Sequence, residues 1–254
     1  MFKFLGPSAA LILVCSGLLG GPSAAHAQDV EVIFPGHPAL ESSRIQPFEA
    51  EYEQMGFAFL TRLVRTNQAR PVLSFQMIME GPDGVGIDHV GHRADDLAFA
   101  YRRFGFRAFR PEYIDARVEG DSLRLRRLSL AEGSDSNDLP VVQRLERPIV
   151  DGTFAYWLAA ALPLREGYRW RWHTWQPTAT GLEIRDTPVF EVTGREEITL
   201  EDGARLDAWV VAVEGASGTT RMWVSESPPY LVRQDVVPPG GEPQTVIELK
   251  RVRP

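Results

Sequence analysis

Two histidines and three aspartates crowd one short stretch of this chain, Asp88, His89, His92, Asp95 and Asp96. Neutral imidazoles and carboxylates at such spacing can hold zinc or another divalent ion, which would point to a metal-dependent hydrolase. On an extended strand, however, His89 and His92 point to opposite faces, so the site requires a turn between them. A polar hairpin end, with aspartates bonding local amides, is the simpler reading. Asp135-Ser136-Asn137-Asp138 lacks the glycine and the distal bidentate glutamate of a calcium loop. No metal and no cofactor is expected.

Nucleophilic catalysis finds no support. No Gly-x-Ser-x-Gly elbow, His-Glu-x-x-His motif or phosphate-cradling glycine loop occurs, and Ser217 falls in a hairpin turn, Gly215-Ala216-Ser217-Gly218. The removal of the signal proposed below would take away the one cysteine, Cys15. Glu196 shares strand parity with Phe190, Val192, Ile198 and Leu200, so it is expected to face inward as a structural polar anchor tied to a cation or to turn amides. No catalytic residue is assigned and a non-enzymatic protein is expected.

The remaining candidates are aromatic. Phe154, Trp157, Leu158, Trp170, Trp172, Trp209 and Trp223 form a candidate binding set for an apolar ligand, with Trp175 nearby on the opposite parity from Trp170 and Trp172. Large rings with a polar tip suit a lipid or sugar cavity. They equally suit a β domain without disulfides that needs bulk to fill its core.

These side chains need strands and one helix to position them. Asp151 is placed to cap a helix over about 151–162, Pro163 stops it, and Phe154, Trp157, Leu158, Ala161 and Leu162 give it one apolar stripe. Tyr168, Trp170 and Trp172 then alternate with Arg169, Arg171 and His173 as a strand. From 189 to 252 the pattern is strand after strand with turns at Glu201-Asp202-Gly203, Gly215–Gly218 and Pro238-Pro239-Gly240-Gly241, an antiparallel meander. Upstream, Phe48-Glu49-Ala50-Glu51-Tyr52-Glu53 puts three glutamates on one solvated face, and Phe99 with Tyr101 suggests an aromatic one. Residues 131–139 form a polar loop.

Lys3, the apolar run from Ala9 to Leu19 and Ala25-His26-Ala27 form a signal peptide cleaved after Ala27. The chain is therefore expected to be exported, to the periplasm or cell envelope, with no transmembrane segment left in the mature form. Removing Lys3 leaves 26 basic residues against 34 acidic ones, a formal charge of −8, which disfavours nucleic acid and anionic lipid surfaces. Residues 28–46 read as an extended N-terminal arm and 47–254 as a single antiparallel β domain.

Leu162-Pro163-Leu164 with Gly167-Tyr168, Val192-x-Gly194-x-Glu196-x-Ile198, Gly203 leading to Ala208-Trp209-Val210-Val211, and Met222-Trp223-Val224 before Leu231-Val232-Arg233 resemble a bacterial family, domain of unknown function 3108. The resemblance implies an exported, envelope-associated protein with a long curved antiparallel sheet and a helix, similar in outline to half-barrel lipoprotein carriers. It implies no activity and no catalytic residues.

The expected fold is thus mainly β, a curved antiparallel sheet, half-barrel or open barrel, packed by one short amphipathic helix. The first expected function is binding of a lipid or acyl chain between sheet and helix. The alternative is an adaptor that binds another envelope protein through a sheet edge, and the metal-dependent hydrolase ranks last.

Overall fold

Alternating apolar and polar residues build strands through most of the chain, and the structure, a computed structural model, describes residues 30–253 apart from 55–56, 68, 82–83, 107–109, 130–139, 153–154, 179–180 and 216–217. The expected signal peptide, the polar loop at 131–139 and Phe154 lie outside the described residues. The fold is mainly β: one large open sheet, with a single short helix and one 3-10 turn (Ser42–Arg44) among the described residues.

Strands β2 (Phe48–Gln54), β3 (Phe57–Arg65), β4 (Val72–Gly81), β5 (Gly84–Arg93), β6 (Phe99–Phe106), β7 (Arg110–Glu119), β8 (Ser122–Ser129) and β9 (Val141–Arg144) follow one another as antiparallel neighbours. The C-terminal meander does the same through β13 (Phe190–Thr199), β14 (Arg205–Gly215), β15 (Gly218–Val224), β16 (Leu231–Val237) and β17 (Gln244–Arg253). The two runs join where β17 pairs with β2. There the glutamate face expected from the alternation of β2 meets cations from β17: Arg251 lies 2.7 Å from Glu51, Arg253 3.1 Å from Glu49, and Lys250 3.5 Å from Glu53. Opposite charges on neighbouring strands favour this register.

Between the runs stand β10 (Val150–Asp151), helix α1 (Ala155–Ala159), β11 (Arg169–Thr178) and β12 (Gly181–Asp186). The sheet bends far enough that Arg127 of β8 donates to the carbonyl of Thr178 on β11 at 2.9 Å, although twelve strands separate them in the sheet order. Two short strands depart from the antiparallel rule: β1 (Glu31–Ile33) and β10 both pair with β11 in parallel. The N-terminal arm is thereby part of the fold. Ile33 and Ile45 are buried, and Tyr230 holds the far end of the arm, donating to Arg44 O (3.0 Å) and accepting from Gln46 N (2.6 Å).

The helix is shorter than the sequence pattern suggests, Ala155–Ala159 rather than 151–162. Asp151 lies ahead of it, in β10. Residues 149–151 are drawn into extended pairing instead, with Phe99 N donating to Ile149 O (2.8 Å) and Val150 and Asp151 opposite Thr174 and Trp175. The Asp151 carboxylate lies 3.5 Å from the mostly covered guanidinium of Arg102. Nor is only one stripe of the segment covered: all of 156–162 is buried, Trp157 completely. At its far end Glu41 N donates to Ala161 O (2.9 Å) and Arg44 Nη1 to Leu162 O (3.2 Å), so the arm satisfies carbonyls that a terminating helix leaves open.

Candidate functional site

Strands β4, β5 and β6 carry polar clusters on both faces. His89 and His92 do point opposite ways, because β5 is continuous through both. On the outer face Ser74 Oγ lies 2.6 Å and Tyr101 Oη 2.9 Å from His89 Nε2. Gly91 makes this possible: a Cβ there would stand 2.4 Å from the Tyr101 ring, which lies across the strand in the space glycine leaves. Burial, and then the charge of Arg103, hold the His89 imidazole below its ordinary range. Ser74 is buried, so its hydroxyl ties strands together and is closed to a substrate. Asp96 binds Arg93, the next-but-two residue back.

The inner cluster is the candidate site. Arg102 donates to both oxygens of Asp88, at 3.1 and 2.7 Å, and lies 3.5 Å from Asp151. Both carboxylates are almost wholly inaccessible. Burial raises the Asp88 carboxyl pKa, and Arg102 opposes the rise. Beside them the buried His92 Nε2 accepts from Asp151 N at 3.1 Å. A backbone amide only donates, so Nε2 is the acceptor and the proton of the neutral ring sits on Nδ1. Burial keeps that ring neutral, pushing its pKa down to about 4.

Aromatic rings continue from His92 without a break. Its centroid lies 5.1 Å from Trp157 and 6.0 Å from Phe99, Phe99 lies 5.3 Å from Trp175, and Trp157 stacks on Phe75 at 6.1 Å. On β11 Trp170 stacks between Tyr168 and Phe190 and meets Trp172 edge-on. Here the N–H groups lack acceptors. His92 Nδ1 and the indole nitrogens of Trp157, Trp170, Trp172 and Trp175 are buried without a hydrogen-bond partner among the described residues. Each such group costs about 1–3 kcal/mol.

The expected binding residues therefore separate. Trp157, Leu158, Trp170 and Trp172 are fully buried, on the helix and on β11. Trp209 and Trp223 sit on β14 and β15 with partners of their own: Trp209 Nε1 donates to Glu226 (2.9 Å) and Trp223 Nε1 to Glu196 (2.8 Å). Glu196 does not face inward. The register shifts between Val192 and Gly194, so Glu196 shares a face with its partner Ala208, the face opposite Phe190 and Val192, and it is exposed. It is tied to the Trp223 indole, over whose ring Arg233 stands.

Arg102 was missed because of a second bulge. Gly91 pairs with Tyr101 but His92 with Phe99, so Ala100 is an extra residue in β6. Phe99 and Tyr101 consequently occupy opposite faces instead of one aromatic side, and Arg102 turns inward beside Val90.

The sequence model of a family described as "Protein of unknown function (DUF3108)" matches residues 92–242, more than half of the chain. The protein belongs to this family. No curated protein and no solved structure matches it. The span matched to DUF3108 contains His92, Arg102, Asp151, α1 and all six tryptophans, while Ser74, Asp88 and His89 lie before it. No helix among the described residues is long and apolar enough to cross a membrane.

Proposed function

We propose that this protein is an exported, non-enzymatic module of the cell envelope, resident in the periplasm, whose curved sheet holds an apolar ligand, a lipid or acyl chain, against α1. The observation that carries the reading is the set of buried ring N–H groups without acceptors around Trp157 and β11. Phenylalanine would fill the same space without a donor to satisfy, so filling alone does not account for tryptophan at four positions. A lipid supplies both a hydrocarbon chain for the rings and oxygens for the N–H groups.

The test is energy transfer from tryptophan to a fluorescent acyl probe whose absorption overlaps indole emission. Saturable transfer at one probe per chain, competed by unlabelled acyl chains, supports the reading. Absence of saturable binding to the folded protein removes it.

A second reading, docking of another envelope protein along a sheet edge, draws on β9. Its ladder partner is β8 on one side, and Val141 and Val142 are exposed. Edge strands of this kind accept an added strand. Crosslinking in cells separates the two, since a specific protein partner without bound lipid favours the adaptor.

A further inference from the structure

Trp157, Trp170 and Trp172 are 0% exposed, so a ligand reaches the rings around α1 only when a covering segment moves aside. Strands are costly candidates for that movement. Each from β2 to β8 and from β14 to β17 is paired along both edges, and displacing one breaks two ladders. Residues 34–46, which cross from β1 to β2, belong to no ladder, and their regular structure is the single turn Ser42–Arg44. They lie against the end of the buried helical segment, where Glu41 N meets Ala161 O (2.9 Å) and Arg44 Nη1 meets Leu162 O (3.2 Å).

The other polar ties of this crossing to distant parts of the chain are few among the described residues. Gly36 N donates to Asp96 O (3.1 Å), Ser42 Oγ donates to Asp95 O (3.2 Å), and the Tyr230 hydroxyl holds both Arg44 O and Gln46 N. Ile45 is buried and Leu40 packs on the core, whereas Glu41, Ser43, Arg44 and Gln46 are exposed. A segment with an apolar underside, a wet polar top and no ladder opens at lower cost than the sheet around it. Gly36, at φ +77°, provides a joint at the β1 end that other residues seldom adopt.

Resting on the ligand-binding reading above, we infer that residues 34–46 are a lid over α1, which swings away to uncover Ala159–Leu162 and is latched shut by the hydroxyl of Tyr230. Tyr230→Phe removes the latch while its ring stays edge-on to Phe48. Arg44 and Gln46 are exposed, so water takes over the two freed backbone groups. A lid that must open for passage in either direction sets both rates and leaves their ratio unchanged.

The experiment mixes the full folded chain, stripped of lipid, with dansyl-undecanoic acid and follows energy transfer from tryptophan. Release is followed by adding phosphatidylcholine vesicles. In Tyr230→Phe, uptake and release should both be about ten-fold faster at unchanged Kd, the factor for about one lost hydrogen bond. Arg44→Ala should quicken both less, and Glu196→Ala, which removes a hydrogen bond on β13, should alter neither. Hydrogen exchange supplies a readout without ligand: the Glu41 and Gln46 amides should exchange faster than those of β14 and β15, and faster still in Tyr230→Phe. Unchanged probe rates in Tyr230→Phe, equal acceleration in Glu196→Ala, or lid amides as slow as the ladders overturn the lid while the ligand-binding reading stands. If the probe does not bind the folded protein at all, both fall.

Discussion

The two tryptophans of the C-terminal meander and the four near the helix and on β11 occupy contrasting environments. In the meander each indole has a carboxylate on its N–H and a guanidinium over its ring, Glu226 with Arg195 for Trp209 and Glu196 with Arg233 for Trp223. The other four are buried among rings, and their N–H groups meet no acceptor among the described residues. Charge follows the same division. Ion pairs between β17 and β2 are open to water, whereas Arg102 serves two carboxylates that are cut off from it. The difference teaches where this fold satisfies its polar groups for itself and where it leaves donors to be matched.

The sharpest way to break the comparison is to remove the cation on each side. Arg102→Met strands Asp88 and Asp151 and should cost about 3–5 kcal/mol in urea unfolding. Arg253→Met, at an exposed pair, should be hardly measurable by the same method. Equal effects would mean that the inner cluster is wet.

Acid should act through His92. Its imidazole is held near 4 in the fold against 6.5 in the unfolded chain, so between those values the unfolded state binds more protons. Its contribution is therefore complete above about pH 7 and is lost as the pH falls from 6.5 to 4, on the order of 3 kcal/mol in total. Asp88, with its raised pKa, works in the opposite sense, its contribution declining as pH rises. Unfolding of the native protein and of His92→Gln at each pH isolates the histidine. The variant should show the flatter acid limb, and identical limbs would place His92 in contact with solvent.

On the outer face, Gly91→Ala should cost about 1–3 kcal/mol, because the new methyl group displaces the Tyr101 ring from His89. A melting temperature equal to that of the parent would show that the ring moves freely. The smallest effect belongs to Glu196→Ala, about 1 kcal/mol from the lost Trp223 hydrogen bond. Glu196→Gln keeps an acceptor and should stay close to the parent, so a Gln variant as weak as Ala would assign the effect to charge.

Much of the fold was legible because strand parity is a local signal. The meander from Phe190 onward, the glutamate face of β2 and the opposite directions of His89 and His92 all follow from a period of two. Parity breaks at a bulge, and two bulges account for the main misreadings. The extra Ala100 turns Arg102 inward and separates Phe99 from Tyr101, and the shift before Gly194 turns Glu196 outward. Gly194 hints at the second, while nothing around Ala100 announces the first. The short helix has another cause. Val150 and Asp151 pair with β11 as a strand, and the Asp151 carboxylate lies 3.5 Å from Arg102, 49 positions earlier in the chain, a pairing that exists only once the sheet has curved.

The central claim, that sheet and helix together hold an acyl ligand, meets its most direct test in an organic extract of the protein purified from its own cell envelope. Mass spectrometry of that extract should find about one lipid or acyl chain per protein chain, absent from the extract of an unrelated envelope protein prepared in parallel. A blank extract from folded, unwashed protein would contradict the account and leave the buried rings as packing alone.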